Sequence, residues 1–231
     1  MEVVAAVVSP LAYGVSVALG ALLCAAGCAT ALRRRTRWRV LAARAVGTAL
    51  VADAVSFVVN RVLSGTFSAR TDLPLALCNV GVLVAAGACW WRRPLLVELT
   101  YFWGLAGTLQ AVITPDLSSR YPHLAFFEYV VGHIGIVVAA LFLVVGMGIS
   151  PRPKAVPRVF VLTASCTALV GLVDGLSGAN YMVLRSPPSN WTLLSVLGPW
   201  PWYVLSAAGV ALVLLVALDA PFWPGRRRAR A

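Results

Sequence analysis

LAFFEYVVGHIGIVVAALFLVVGMG, residues 124 to 148, runs for 25 residues with Glu128 as its only charge. At about 1.5 Å of rise per residue, a helix of that length outreaches the ~30 Å hydrocarbon core of a bilayer. Comparable apolar blocks recur along the chain. They predict seven spans, at about 3–31, 40–62, 74–91, 95–114, 124–148, 157–176 and 200–219. The 231 residues are 60% hydrophobic and 12% charged, with a mean hydropathy of +0.86. A soluble domain carries about twice that charged fraction. The expected fold is therefore all-α: a polytopic membrane protein, a seven-transmembrane-helix bundle forming one integral membrane domain over residues 1–231. Residues 1–31 lack the basic start of a secretory signal, because Glu2 is the only early charge and the arginines follow the apolar run. That order reads as a retained first span.

The net charge of +11 loses any nucleic-acid meaning once the charges are placed. Arg33, Arg34, Arg35, Arg37 and Arg39 follow the first span, and Arg92 and Arg93 follow the third. Arg152, Lys154 and Arg158 follow the fifth, while Arg226, Arg227, Arg228 and Arg230 follow the seventh, so 14 of 19 basic residues share one side. The positive-inside rule then predicts an external N-terminus and a cytoplasmic C-terminus, in a plasma membrane. The surplus also suits anionic headgroups at the cytoplasmic face. Cys24, Cys28, Cys78, Cys89 and Cys166 all fall in apolar spans without a C-x-x-C pair, which argues against a disulfide framework or zinc site.

With that orientation, helical rise assigns depth. Cys78 and Asn79 lie roughly 6–8 Å below the outer end of the third span, and His133 roughly 13 Å down the fifth. Asp53, Asn60, Gln110, Thr114, Asp116, Glu128, Asp174, Asn180 and Tyr181 gather toward the same leaflet. Polar groups in hydrocarbon cost a few kcal/mol each unless they pair or meet water, so their clustering predicts a polar cavity open to the outer side. An interhelical hydrogen-bond network holding the bundle is the alternative reading. Trp200, Trp202 and Tyr203 suit an interfacial aromatic belt.

Within such a cavity, the chemistry-bearing pair is Cys78 and His133. An imidazole near a thiol can take its proton and expose the thiolate nucleophile. Glu128, Asp174, Asn79, Gln110 and Asn180 are candidates to orient that imidazole. Competing classes lack their residues. The only lysine, Lys154, falls in a loop, which excludes a retinal pigment, and neither G-x-S-x-G nor H-E-x-x-H occurs.

The ordered motifs LPLALCNV, YFWGLAGTLQAVITPDL, YPHLAFFEYVVGHIGIV, GANYMVL and LLSVLGPWPWY, over about residues 70 to 205, resemble the YwaF-like integral membrane family. That family is related to the transmembrane protein 164 acyltransferases. The resemblance implies an acyl-accepting cysteine at Cys78 and a base at His133. It places Gln110, Thr114, Pro115 and Asp116 in a Q-x-x-x-T-P-D motif, Asn180 and Tyr181 in an N-Y pair, and Trp200, Pro201 and Trp202 in W-P-W. Ala76 stands where the family has a histidine, and Asp174 where it has an asparagine. The expected activity is transfer of a phospholipid acyl chain to a lysolipid through a thioester. Membrane lipids are the expected partners, with Asn79, Gln110 or Asn180 as oxyanion donors and no metal or nucleotide cofactor. A lipid hydrolase, or a non-catalytic lipid- or small-molecule-binding protein, remains open at this stage.

Overall fold

A computed structural model describes residues 2–33, 36–115, 117, 119–187 and 196–228, which form helices joined by turns and loops, with no strand among them. Helix α1 spans Glu2–Arg33, α2 Thr36–Leu63, α3 Leu77–Trp91 and α4 Pro94–Phe102. A π-helical stretch, Trp103–Thr108, carries α4 into the short α5, Leu109–Ile113. Helix α6, Leu124–Leu141, ends in a second π-helical turn at Phe142–Gly146, followed by α7, Ala155–Ser177, α8, Trp202–Asp219, and α9, Trp223–Arg228.

Local chemistry explains several boundaries. Pro94 opens α4, where the absent N–H has no helical partner to lose. Arg92 (φ 52°) ends α3 in the left-handed region, its N–H donating to the Ala88 carbonyl. Gly178 (φ 74°) ends α7 the same way, onto the Asp174 carbonyl.

Among the described residues, six helical segments are long and apolar enough to cross a membrane: Ser9–Arg33, Thr36–Leu63, Pro94–Ile113, Leu124–Gly146, Ala155–Ser177 and Trp202–Arg226. The third expected span falls short of that length. Its helix has 15 residues, or about 22 Å, and begins at Leu77 instead of residue 74. Pro74 restrains Leu73 from helical geometry. The Leu73 N–H is also committed elsewhere, to the Tyr181 hydroxyl at 2.9 Å, so residues 71–76 form turns.

Helix α3 can be short because protein surrounds it: α2, α4 and α6 all pack on it. Its buried face is made of Gly81, Val82, Ala85, Ala86, Gly87, Ala88 and Cys89. Small residues let helix backbones approach closely where lipid offers no hydrophobic drive to associate. The core continues through Leu50, Phe102, Ile136 and Leu143. Leu11, Val15, Leu22 and Leu23 of α1 face outward, more than half exposed, as a lipid-facing helix requires.

At the end of the bundle where α3 gives way to α4, buried Glu98 accepts Nε of Arg152 at 2.8 Å and an Nη of Arg158 at 2.7 Å. Asp219 takes both terminal nitrogens of Arg226, at 2.7 and 2.8 Å. Arg226 also donates to the Pro151 carbonyl, tying the start of α9 to the loop before α7. This arginine-rich end is closed by ion pairs. The opposite end holds the cavity.

Candidate active-site cavity

A cavity of about 500 Å³ opens between the last turns of α2 and the first turns of α3 and α6. Cys78 and Asn79 reach it from α3, Glu128, Tyr129, Gly132 and His133 from α6, and Asp53, Phe57 and Arg61 from α2. Val51, Val55, Val58, Val82 and Leu83 supply much of the remaining wall. The space is therefore a mostly apolar slot with a few polar groups, a composition suited to a small amphiphile. Because Cys78 belongs to the first turn of α3, the late start of that helix sets the sulfur at the cavity wall.

His133 is held from two sides. Its Nδ1 lies 2.8 Å from the Tyr129 carbonyl, one turn back on the same helix. The Tyr129 ring stacks on the imidazole, with centroids 4.0 Å apart and planes 22° apart. A carbonyl oxygen can only accept, so Nδ1 carries the hydrogen and the neutral ring presents the Nε2 lone pair. The tautomer required of a base follows from that contact. Thr108, a buried hydroxyl at the end of the first π-helical stretch, lies within interaction range of the Cys78 thiol. Such π-turns alter which side chains face a neighbouring helix and recur at functional sites. Among the described residues, Cys78 and His133 make no hydrogen bond to one another; they share the cavity. Catalytic hydrogen bonds commonly tighten only when substrate is bound.

Two carboxylates also face the cavity. The Glu128 Oε1 accepts the Ser56 hydroxyl at 2.9 Å, and Asp53 lies close enough to interact with Glu128 electrostatically. Gly132 makes room for Asp53: a Cβ at that position would sit 2.9 Å from Oδ2. No group of three or more His, Cys, Asp or Glu among the described residues is arranged to hold a metal ion.

The remaining sequence-selected residues are distributed around this centre. Asp174 is fully buried beneath the α7–α8 connection, where Oδ1 accepts the Tyr181 N–H at 3.0 Å. The Tyr181 hydroxyl accepts from the Leu73 N–H and donates to the Ala69 carbonyl, each at 2.9 Å. Tyr181 thus fixes the turns that deliver Cys78, without lining the cavity. Asn180 is exposed; its amide nitrogen donates to Ser186 and its oxygen accepts the Arg185 N–H, so the group organises its own loop. Gln110 and Thr114 are exposed along α5 and its end, outside the cavity lining. Trp200 and Trp202 are 59% and 63% exposed, and Trp200 Nε1 donates to the Leu184 carbonyl. Asp116 lies outside the described residues. Of the three expected oxyanion donors, only Asn79 faces the cavity, because the rotation of α5 and the loop bonds of Asn180 turn the other two away. Thr108, Tyr129, Ser56 and Arg61 went unselected in the sequence: a lone hydroxyl in an apolar helix carries no spacing signal, and Arg61 stands apart from the clustered fourteen basic residues with no motif around it.

A cysteine and an Nδ1-protonated histidine around one apolar slot, in a bundle of apolar helices, give the comparison with known proteins its meaning. Residues 4–219 match the TMEM164 family. The chain belongs to that family. One similar protein is an uncharacterized protein of Treponema pallidum (strain Nichols), 27% identical over 159 residues. The aligned stretch covers 68% of this TMEM164 family chain and 65% of that relative, slightly less than two thirds of its length. No solved structure matches this member of the TMEM164 family.

Proposed function

We propose that the chain is a membrane-embedded Cys–His lipid acyltransferase. The observation that carries this reading is that Cys78 and His133, on different helices, line one mostly apolar cavity, with Nδ1 of the imidazole engaged by the Tyr129 carbonyl so that Nε2 is the nitrogen left to act as base. In the first half-reaction His133 Nε2 takes the thiol proton and Sγ of Cys78 attacks an acyl ester carbonyl of a phospholipid. The ester C–O bond breaks, the proton passes from His133 to the departing lysolipid oxygen, and a thioester remains. In the second, His133 takes the proton of an acceptor lysolipid hydroxyl, whose oxygen attacks the thioester. The ester forms, and the thiol recovers the proton. The Asn79 amide, which lines the cavity, is the donor available to the developing oxyanion, a contribution of about 3 kcal/mol where such a donor is well placed.

The apolar wall accommodates an acyl chain and limits water, which favours transfer over hydrolysis. The basic surplus at the arginine-rich end supports a cytoplasmic location for it, with the cavity opening toward the outer leaflet of a plasma membrane and the N-terminus outside. In this arrangement α3 counts as the seventh, shortened member of the bundle.

The test is acylation of purified protein with a phospholipid carrying a labelled acyl chain, followed by peptide mass spectrometry. A hydroxylamine-sensitive acyl group on Cys78, absent in Cys78→Ala and reduced at least tenfold in His133→Ala, is the expected result. Label spread evenly over Cys24, Cys89 and Cys166 would overturn it. Free fatty acid as the sole product, with a lysolipid acceptor present, would replace transfer by hydrolysis.

A further inference from the structure

We infer that Arg61 is the phosphate anchor of the cavity, binding the phosphodiester of the lipid whose acyl ester meets Cys78; this rests on the acyltransferase reading. Among the described residues, Arg61 is the one arginine or lysine in the cavity wall. It belongs to the last turn of α2, five residues, or about 7 Å of rise, beyond the Ser56 that donates to Glu128. That location is the mouth.

The guanidinium is held in place but not used up. Asp72 approaches it with Oδ1 3.8 Å from Nε, too far for a hydrogen bond, and Asp72 is itself fixed by the Ser68 N–H at 2.8 Å. The Phe57 ring lies 5.4 Å from the guanidinium carbon, which further limits its rotamers. Nε is buried without a hydrogen-bond partner, and no Arg61 side-chain hydrogen bond occurs among the described residues. A guanidinium carries five donors in a planar fork matched to phosphate. One left unbonded at the rim of an apolar slot calls for an anion bearing an apolar tail.

Other cations near this end do not compete. Arg185 spends its Nη1 on the carbonyls of Asp174 and Ala179, and Arg70 and Arg120 are exposed and absent from the cavity wall. A phospholipid presents its phosphate a few bonds from its ester carbonyls, so one molecule can engage Arg61 at the mouth while its ester enters. A free phosphate or glycerophosphate offers the same anion without the tail. The apolar wall favours the lipid.

The experiment compares wild type, Arg61→Gln and Arg61→Lys with two acyl donors of matched chains, phosphatidylcholine and phosphate-free diacylglycerol. Both thioester formation on Cys78 and binding of fluorescent lysophosphatidylcholine or monoacylglycerol are read. Arg61→Gln is expected to lower kcat/KM and affinity for the phosphate-bearing lipids by roughly ten- to a hundredfold. The phosphate-free lipids should change by less than about twofold on the same scale of hydrogen-bond energies, with Arg61→Lys intermediate. Equal losses with both lipid classes, or no loss with either, would overturn the anchor. So would competition by inorganic phosphate or glycerophosphate as strong as by lysophosphatidylcholine. The binding arm decides the matter even if no thioester forms with any donor, an outcome that would defeat the acyltransferase reading alone.

Discussion

Asp174 Oδ1 accepts the backbone N–H of Tyr181 at 3.0 Å, in a pocket sealed from solvent. The second carboxylate oxygen, Oδ2, has no hydrogen-bond partner among the described residues. Asparagine would keep the acceptor and dispense with a buried carboxyl. Asp174→Asn is therefore expected to melt in detergent at or above the wild-type temperature. Asp174→Ala should lose about 1–3 kcal/mol by orphaning the Tyr181 amide. A lower Tm for the asparagine variant than for the alanine variant would show that the charge itself is required.

Tyr181→Phe removes one hydroxyl and two hydrogen bonds, to the Leu73 N–H and the Ala69 carbonyl. At about 1 kcal/mol for each bond, stability should fall by roughly 2 kcal/mol. Those bonds hold the turns leading into α3, so acylation of Cys78 should also slow, by more than the unfolded fraction explains. Thermal melts alongside labelling rates check both parts.

Thr108→Val keeps the volume of the buried side chain but deletes the hydroxyl beside the Cys78 thiol. Where the hydroxyl donates to the sulfur after its proton has left, losing about 1 kcal/mol should slow thiol alkylation roughly fivefold. Thr108→Ser should retain most of the wild-type rate. Equal rates in the valine and serine variants would remove Thr108 from the site.

Glu98→Gln tests the arginine-rich end. Glu98 accepts from the Arg152 backbone N–H at 3.0 Å, from its guanidinium at 2.8 and 3.0 Å, and from Arg158 at 2.7 Å. Breaking a fully buried pair costs about 3–5 kcal/mol, but both arginines here remain partly open to water. A loss of about 2 kcal/mol is expected after discounting for that screening. The labelling rate of Cys78 per folded molecule should not change, since the cavity lies at the other end.

Gly47→Ala probes the contact between α2 and α3. Its Cβ would fall 2.8 Å from Trp90 Cδ1, 2.9 Å from Cys89 Cβ and 3.1 Å from the Ala86 carbonyl oxygen. Backbone and buried atoms cannot yield as a surface chain can, so overpacking should cost about 1–3 kcal/mol. An unchanged Tm would mean that the two helices can separate freely.

How far sequence alone reaches is seen in the helices around the cavity. Expected spans at 95–114 and 157–176 correspond to helical segments Pro94–Ile113 and Ala155–Ser177, because hydropathy and proline mark where backbone must satisfy itself. Cys78 and His133, which helical rise puts at roughly 6–8 Å and 13 Å along their spans, line one cavity in the structure. Azimuth was not legible. Gln110 and Thr114 fall at the expected level along the sequence, yet α5 leaves them exposed, and nearly uniform hydrophobicity gives no moment from which that rotation could be read. The π-helical stretch before α5 shifts facing again and brings Thr108 to the thiol, a displacement no 3.6-residue periodicity anticipates.

The shortness of α3 bears on how a lipid would arrive. Were this helix to run the full thickness of the hydrocarbon, its first turn would emerge among headgroups. Beginning at Leu77, behind the turns that Tyr181 holds, it sets the sulfur in the wall of the cavity, between helices. A lipid could then slide in sideways from its own leaflet, without first being lifted into water.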